Sequence, residues 1–179
     1  MQDNIWFLIV CIVLSFVVLI PVVCCKSVAR KVPANYILAG IFTLCESFLV
    51  ANFTAFYDPL TILIAVVMTL GVTIAVSVYA LTTKRDFTTW YGVMFGVLIG
   101  GIIFATFMGI FYESRALDIV ICLIFIIIYT IYIVIDTQAI AGGKRYSLSY
   151  DDYILGALAL YIDIIGLFVY LLALLGGKK

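Results

Sequence analysis

Two stretches decide the fold: LDIVICLIFIIIYTIYIVIDTQAI (117–140) and YILGALALYIDIIGLFVYLLALL (153–175). Each is long and apolar enough to cross a bilayer, which takes roughly 20 mostly apolar residues in a helix. Each also carries an aspartate at membrane depth, Asp136 near the end of the first and Asp163 in the middle of the second. An ionisable group there costs at least ~2.5–3.5 kcal/mol on insertion scales, so it reads as a functional site by default. Two of them on consecutive helices suggest one shared site. Two separate helix–helix hydrogen bonds are the plainer alternative.

Four more apolar runs precede these, at about 5–25, 34–55, 59–82 and 89–111. With the last two they make six predicted spans, A to F. Composition agrees: 66% of the 179 residues are hydrophobic and 11% charged, with a mean hydropathy of +1.30. An ordinary soluble domain carries roughly 25% charged residues. The expected fold class is all-α, a polytopic membrane helix bundle forming one domain over 1–179. The lipid bilayer is its first partner.

The breaks carry helix-terminus chemistry. Pro33 opens helix B, and Asp58-Pro59 offers an N-cap and a first-turn proline to helix C. Gly142-Gly143 stops helix E. Ser149-Tyr150-Asp151-Asp152 has the form of a capping box before helix F. Pro21 is expected to kink helix A near its end. Gly92, Gly96 and Gly100 on helix D form a flat strip for close helix packing, inside the monomer or at a dimer seam. Asn52-Phe53-Thr54 is a sequon very close to the membrane. The N-terminus, with Asp3 in place of a basic region and a long apolar run, reads as a retained spanning helix rather than a signal peptide.

Seven of the ten Lys and Arg residues lie in alternate loops: Lys26, Arg30 and Lys31, then Lys84 and Arg85, then Lys144 and Arg145. Arg115, Lys178 and Lys179 lie on the other side. The positive-inside rule places the three basic loops in the cytoplasm, or in the matrix of a mitochondrion, with both termini outside. Net charge is zero, so nothing points to nucleic acid. Histidine is absent. That excludes His-ligated metals, Ser-His and Cys-His nucleophilic pairs, and imidazole pH sensing. The five cysteines do not form a disulfide pattern. Cys24-Cys25, at a membrane edge beside Lys26, is compatible with palmitoylation or with simple packing.

Tyr129, Tyr132 and Asp136 share one face of helix E, and Gly156, Leu160, Asp163, Leu167 and Tyr170 form a stripe on helix F. Counted at ~1.5 Å per residue, Asp136 lies roughly 6 Å and Asp163 roughly 15 Å from the basic-loop end. If they meet, two carboxylates in a low-dielectric site cannot both ionise cheaply, and the pair titrates as one unit. Once ionised, it either repels or binds a cation, and its hard oxygens suit Ca²⁺. Glu46 in helix B is a third intramembrane acid, either lining the same pathway or held neutral by a neighbouring helix.

The blocks VPANYILAGIFTLCESFLVA (32–51), KRDFT (84–88), IDTQAIAGG (135–143) and YSLSYDDYILGALALYIDIIGLF (146–168) resemble the transmembrane Bax-inhibitor motif family, most of all its Lifeguard branch. The resemblance implies a seven-helix bundle enclosing a C-terminal helix, of which this chain has six helices and lacks the first. It implies a calcium leak of internal or plasma membranes, and suppression of cell death. It places a two-aspartate, pH-sensitive latch on Asp136 and Asp163, with Arg30 or Lys31 as the cation that holds it closed. The family pattern has Asn after the Asp-Ile-Ile of the last helix, where this chain has Gly166.

The expected function is therefore a pH-sensitive calcium leak channel, or a regulator of calcium homeostasis, with a cytoprotective, anti-apoptotic role. Ca²⁺ is then the permeating or regulatory ion, with Asp136 and Asp163 as its ligands, and no other cofactor is implied. The alternative is a non-transporting structural or regulatory subunit, with a membrane-protein partner covering the place of the first helix. An enzyme is not expected: Asp136 follows Ile135 and Asp163 follows Tyr161-Ile162, so the Tyr-Asp and Gly-x-Gly-Asp signatures of intramembrane aspartyl proteases are missing. The expected setting is an endomembrane (ER or Golgi) or the plasma membrane, with the mitochondrial inner membrane also open.

Overall fold

A computed structural model describes residues 5–112 and 114–176; the expectations resting on Asp3, Lys178 and Lys179 fall outside them. The described residues are helical, with no strand among them. The long helices are α1 (Ile5–Cys24), α3 (Ala34–Thr54), α4 (Pro59–Thr82), α5 (Tyr91–Phe111), α6 (Arg115–Ala141) and α7 (Tyr153–Gly176), with a short α2 (Lys26–Ala29) after α1. All six long helices are long and apolar enough to cross a membrane. The protein is thus a polytopic membrane helix bundle.

Local chemistry explains most of the ends. Pro59 sits at the first position of α4, where its missing N–H costs nothing. Asp58 takes the N-cap position with extended backbone, but its carboxylate makes no capping hydrogen bond. Gly142 and Gly143 end α6 at φ +78° and +73°, a conformation that side chains disfavour. The Ser149–Asp152 capping box does not form. Ser149 makes no side-chain cap, and Asp152 is committed elsewhere. Asn52 of the sequon lies inside α3, its amide donating to the Phe48 carbonyl at 2.9 Å.

The described residues pack as two compact units, those within 1–57 and 149–158, and those within 58–148 and 159–179. In the first, α1 lies along α3. Cys11, Ser15, Val18 and Val22 form the buried stripe of α1, and Asn35, Phe42 and Cys45 that of α3. Phe7 and Phe48 meet edge to face at 4.6 Å. Asn35 is fully buried: it donates to the Ala29 carbonyl at 3.1 Å and to the Tyr153 hydroxyl at 3.2 Å. All five cysteines are free thiols, with Cys24 and Cys25 exposed.

In the second unit α4 and α5 both pack on α6. One cluster joins Met94 of α5 to Phe125, Ile128, Tyr132 and Ile135 of α6. The other joins Ile133 of α6 to Leu167 and Leu171 of α7, with Val72 and Val76 of α4 against it. Residues Tyr132 to Gln138 are all buried, on every side of α6. A helix apolar all round is expected to be enclosed in this way. Helix α7 is also enclosed here, through Asp163, Leu167, Phe168, Leu171 and Leu172.

The glycines behave differently from the motif reading. A methyl group added at Gly92, Gly96 or Gly100 meets nothing within 4 Å, so no helix among the described residues packs on the strip. Met94, Leu98, Gly101 and Ala105 turn toward α6 instead, and a methyl at Gly101 would come 3.3 Å from the Phe125 ring. The tight approach is at Gly166, where a Cβ would overlap the Tyr129 ring. Tyr129 lies there in an aromatic layer with Tyr170, which stacks on Phe125 at 4.5 Å and 4°. Gly166→Ala or Gly166→Asn is expected to cost about 1–3 kcal/mol through overpacking. Thermal unfolding in detergent tests this: each variant lowers the midpoint. An unchanged midpoint in Gly166→Asn means that the ring does not lie against the α7 backbone.

Candidate functional site

Asp136 and Asp163 meet. They lie on α6 and α7 within the second unit, each 6% exposed, with their carboxyl groups in hydrogen-bond contact. Two carboxylates accept but do not donate, so a bond between them requires a proton on one. Contact across the depth offset counted from the sequence requires the two helices to be inclined or shifted along one another. The second Asp163 oxygen (Oδ2), the Tyr132 hydroxyl and the Thr137 hydroxyl are buried without a hydrogen-bond partner. The Tyr132 and Tyr91 rings meet edge to face at 6.1 Å beside the pair.

The basic-loop end of α6 is fastened by a residue with no obvious chemical role in the sequence. Gln138 is 1% exposed. Its carbonyl accepts the Phe87 N–H at 2.8 Å, and its amide donates to the carbonyls of Ala80 and Arg85 at 3.2 and 3.0 Å. Lys144 Nζ donates to the carbonyls of Thr83 and Arg85 at 3.2 and 3.0 Å. The Asp86 carboxylate accepts the Thr88 hydroxyl at 2.6 Å, the Thr88 N–H at 3.0 Å and the Arg145 N–H at 3.0 Å. The α4–α5 loop is thereby tied to the segment after α6, and Gln138, two residues beyond Asp136, holds this end of α6 in a fixed frame.

The two proposed latch cations have different surroundings. Arg30 forms a two-pronged pair with Asp152, Nε to Oδ1 at 2.7 Å and Nη2 to Oδ2 at 2.9 Å. This bond lies in the first unit, where Asp152 is buried and stands just before α7. The guanidinium is held more firmly charged by that carboxylate. Lys31 is exposed. Glu46 is half-buried on α3 in the first unit, whereas the acid pair belongs to the second. Among the described residues no three His, Cys, Asp or Glu side chains cluster as a metal site. Any cation at the acid pair would therefore be held by two carboxylates and neutral oxygens.

Asp86 makes the loop staple sensitive to acid. The Thr88 hydroxyl first, then the Arg145 N–H, hold its carboxyl below the ordinary carboxylate range, with burial opposing them. A group whose value folding depresses contributes stability that is present above its unfolded value and lost as pH falls through the folded one. The staple is accordingly complete at neutral pH and opens only in acid, below the ordinary aspartate value of about 3.9. The Arg145 amide resonance is expected to titrate only there. Asp86→Asn is expected to make trypsin cleave after Lys144 or Arg145 at neutral pH roughly fivefold faster, the equivalent of one lost hydrogen bond. Equal cleavage rates would show that the carboxylate does not hold the loop.

Comparison with known proteins places this geometry. The family model described as inhibitor of apoptosis-promoting Bax1 matches residues 1–179. Protein lifeguard 3 of Mus musculus is 32% identical over 159 residues, covering 87% of this chain and 51% of the relative. Protein lifeguard 4 of Mus musculus is 35% identical over 144 residues, covering 80% of this chain and 58% of the relative. The chain spans about half the length of the curated relatives it matches. With a match along its whole length, an all-helical membrane fold and a buried acid pair on α6 and α7, the chain belongs to the Bax-inhibitor family that includes the Lifeguard proteins.

Proposed function

We propose that this protein is a pH-sensitive calcium leak pathway, or a regulator of calcium homeostasis, with a cytoprotective, anti-apoptotic role. The observation that carries the reading is the buried contact between Asp136 and Asp163 from different helices. Protonated, the pair hydrogen-bonds and holds α6 to α7. As pH rises it loses its proton, and like-charge repulsion loosens the contact. The exposed carboxylate oxygens then suit Ca²⁺, a hard cation that tolerates irregular oxygen ligands. The family description and the names of the relatives support the anti-apoptotic part. An endomembrane or the plasma membrane is the proposed setting.

Calcium flux into proteoliposomes between about pH 5 and 8, the span over which a shifted pair titrates, tests the reading. Flux is expected to rise with pH in the wild type. Asp136→Asn and Asp163→Asn flatten the profile without unfolding, because Asn keeps the shape and the hydrogen-bonding capacity. If both variants keep the wild-type profile, the two acids are packing contacts only.

The Arg30–Asp152 pair is the proposed closing contact. Asp152 stands at the head of α7, which carries Asp163 about three turns further on. Arg30→Ala and Asp152→Asn are expected to raise basal leak, Lys31→Ala to leave it unchanged, and a charge swap of the pair to restore it. Equal leak in all four would remove Arg30 from the mechanism.

A second reading, a non-transporting subunit of a larger assembly, draws on the open Gly92-Gly96-Gly100 strip. Stable co-purification with another membrane protein and no flux at any pH would favour it.

A further inference from the structure

Cys24 is the last residue of α1, and Cys25 joins α1 to α2. Both thiols are free and exposed, whereas those of Cys11, Cys45 and Cys122 are buried. Backbone hydrogen bonds hold the corner that carries them. The Cys25 N–H donates to the Pro21 carbonyl at 2.9 Å, and the Cys25 carbonyl accepts the N–H of Val28 at 2.9 Å and of Ala29 at 3.1 Å. The two thiols do not suit a disulfide with each other. Adjacent Cα atoms lie about 3.8 Å apart, short of the roughly 4.4–6.8 Å that a disulfide spans.

The corner lies at a membrane boundary. Helix α1 has 20 residues. At ~1.5 Å each they span roughly 30 Å, the thickness of the hydrocarbon core. With Ile5 at one boundary, Cys24 and Cys25 stand at the other. Lys26, Arg30 and Lys31 follow in sequence, and the positive-inside rule assigns this boundary to the cytoplasm, the compartment that holds coenzyme A thioesters of fatty acids. The helix face matters as well. Trp6, Val10, Val13, Val17 and Ile20 are exposed and recur at alternate steps of four and three, so they share one face of α1. Cys24, four residues past Ile20, continues that face. The buried stripe of Cys11, Ser15, Val18 and Val22 lies on the other side. An alkyl chain attached at Cys24 would enter the bilayer along an apolar track that no helix among the described residues covers.

We propose that the Cys24–Cys25 corner is a site of S-acylation by a long-chain fatty acyl group. The cysteine sulfur attacks the carbonyl carbon of an acyl–coenzyme A thioester. A new carbon–sulfur bond forms, the old one breaks, and the thiol proton leaves with coenzyme A. Nothing is oxidised or reduced. Water later cleaves the new thioester to the free acid and the thiol, so the modification is reversible. The acyl chain adds a second hold on the membrane at the start of the first basic loop. The site belongs to the first unit, apart from the acid pair of the second, and its chemistry uses neither acid.

The test is metabolic labelling of eukaryotic cells that express the full chain, with alkyne-tagged hexadecanoic acid as the probe. The captured chain is expected to carry label that neutral hydroxylamine removes, as a thioester requires. Cys24→Ser and Cys25→Ser are each expected to keep roughly half of it, and the double variant none, as two juxtamembrane acceptor thiols predict. Loss of all label in one single variant assigns the acyl group to that cysteine and supports the site equally. No label on the wild-type chain, label that resists hydroxylamine, or full label on the double variant overturns the proposal. If the double variant does not reach the membrane, peptide mass spectrometry of the wild type decides. An acyl group on the peptide with Cys24 and Cys25 supports the site, and one found only at Cys11, Cys45 or Cys122 overturns it.

Discussion

In hydrocarbon there is no water to satisfy a stray polar group, so each one must find its partner inside the protein. That constraint organises this molecule more than any apolar contact does. The apolar side chains are largely interchangeable between lipid and protein, and many large ones on α1, α4 and α5 are exposed. The polar ones are not. Gln138 takes three backbone partners, Asn35 takes Ala29 and Tyr153, Arg30 takes Asp152, and Asp136 takes Asp163. Most of these contacts join residues far apart in sequence, and they fasten helix ends.

They also divide the labour of the candidate site. The end of α6 is held through Gln138 and by the Asp86 staple, which gives Asp136 a fixed frame. The partner carboxyl sits in the interior of α7, where no backbone group competes for it. The enclosed aromatic layer of Phe125, Tyr129 and Tyr170 borders the same face of α7. It depends on the missing side chain of Gly166.

Much of this was legible in the sequence, for identifiable reasons. Six spans emerged because long apolar runs are interrupted by Pro59, Gly142-Gly143 and clusters of charge, and α4 begins and ends where those signals put it. Asp136 and Asp163 stood out because their neighbours are apolar. Gln138, Asp86 and Asp152 did not, because polar residues near a helix end look the same whether they face solvent or tie loops together. Both Asp86 and Gln138 lie inside the motifs that carried the family resemblance, but a motif does not say what its residues touch. The glycine strip shows the converse: G-x-x-x-G permits a close approach without requiring one, and the tight contacts fell on Gly101 and Gly166.

The acid pair also bears on how the chain enters the bilayer. Leaving an insertion channel separately, α6 and α7 would each carry an unpartnered carboxyl into hydrocarbon, at about 2.5–3.5 kcal/mol on insertion scales. Leaving as a hairpin, they would shield one another. The eleven residues between them (142–152) are short enough for such a hairpin, and the Leu148 N–H already folds back to the Ala139 carbonyl at 2.8 Å. Joint entry as a hairpin would spare both helices that cost, because each carboxyl would then have the other as its partner.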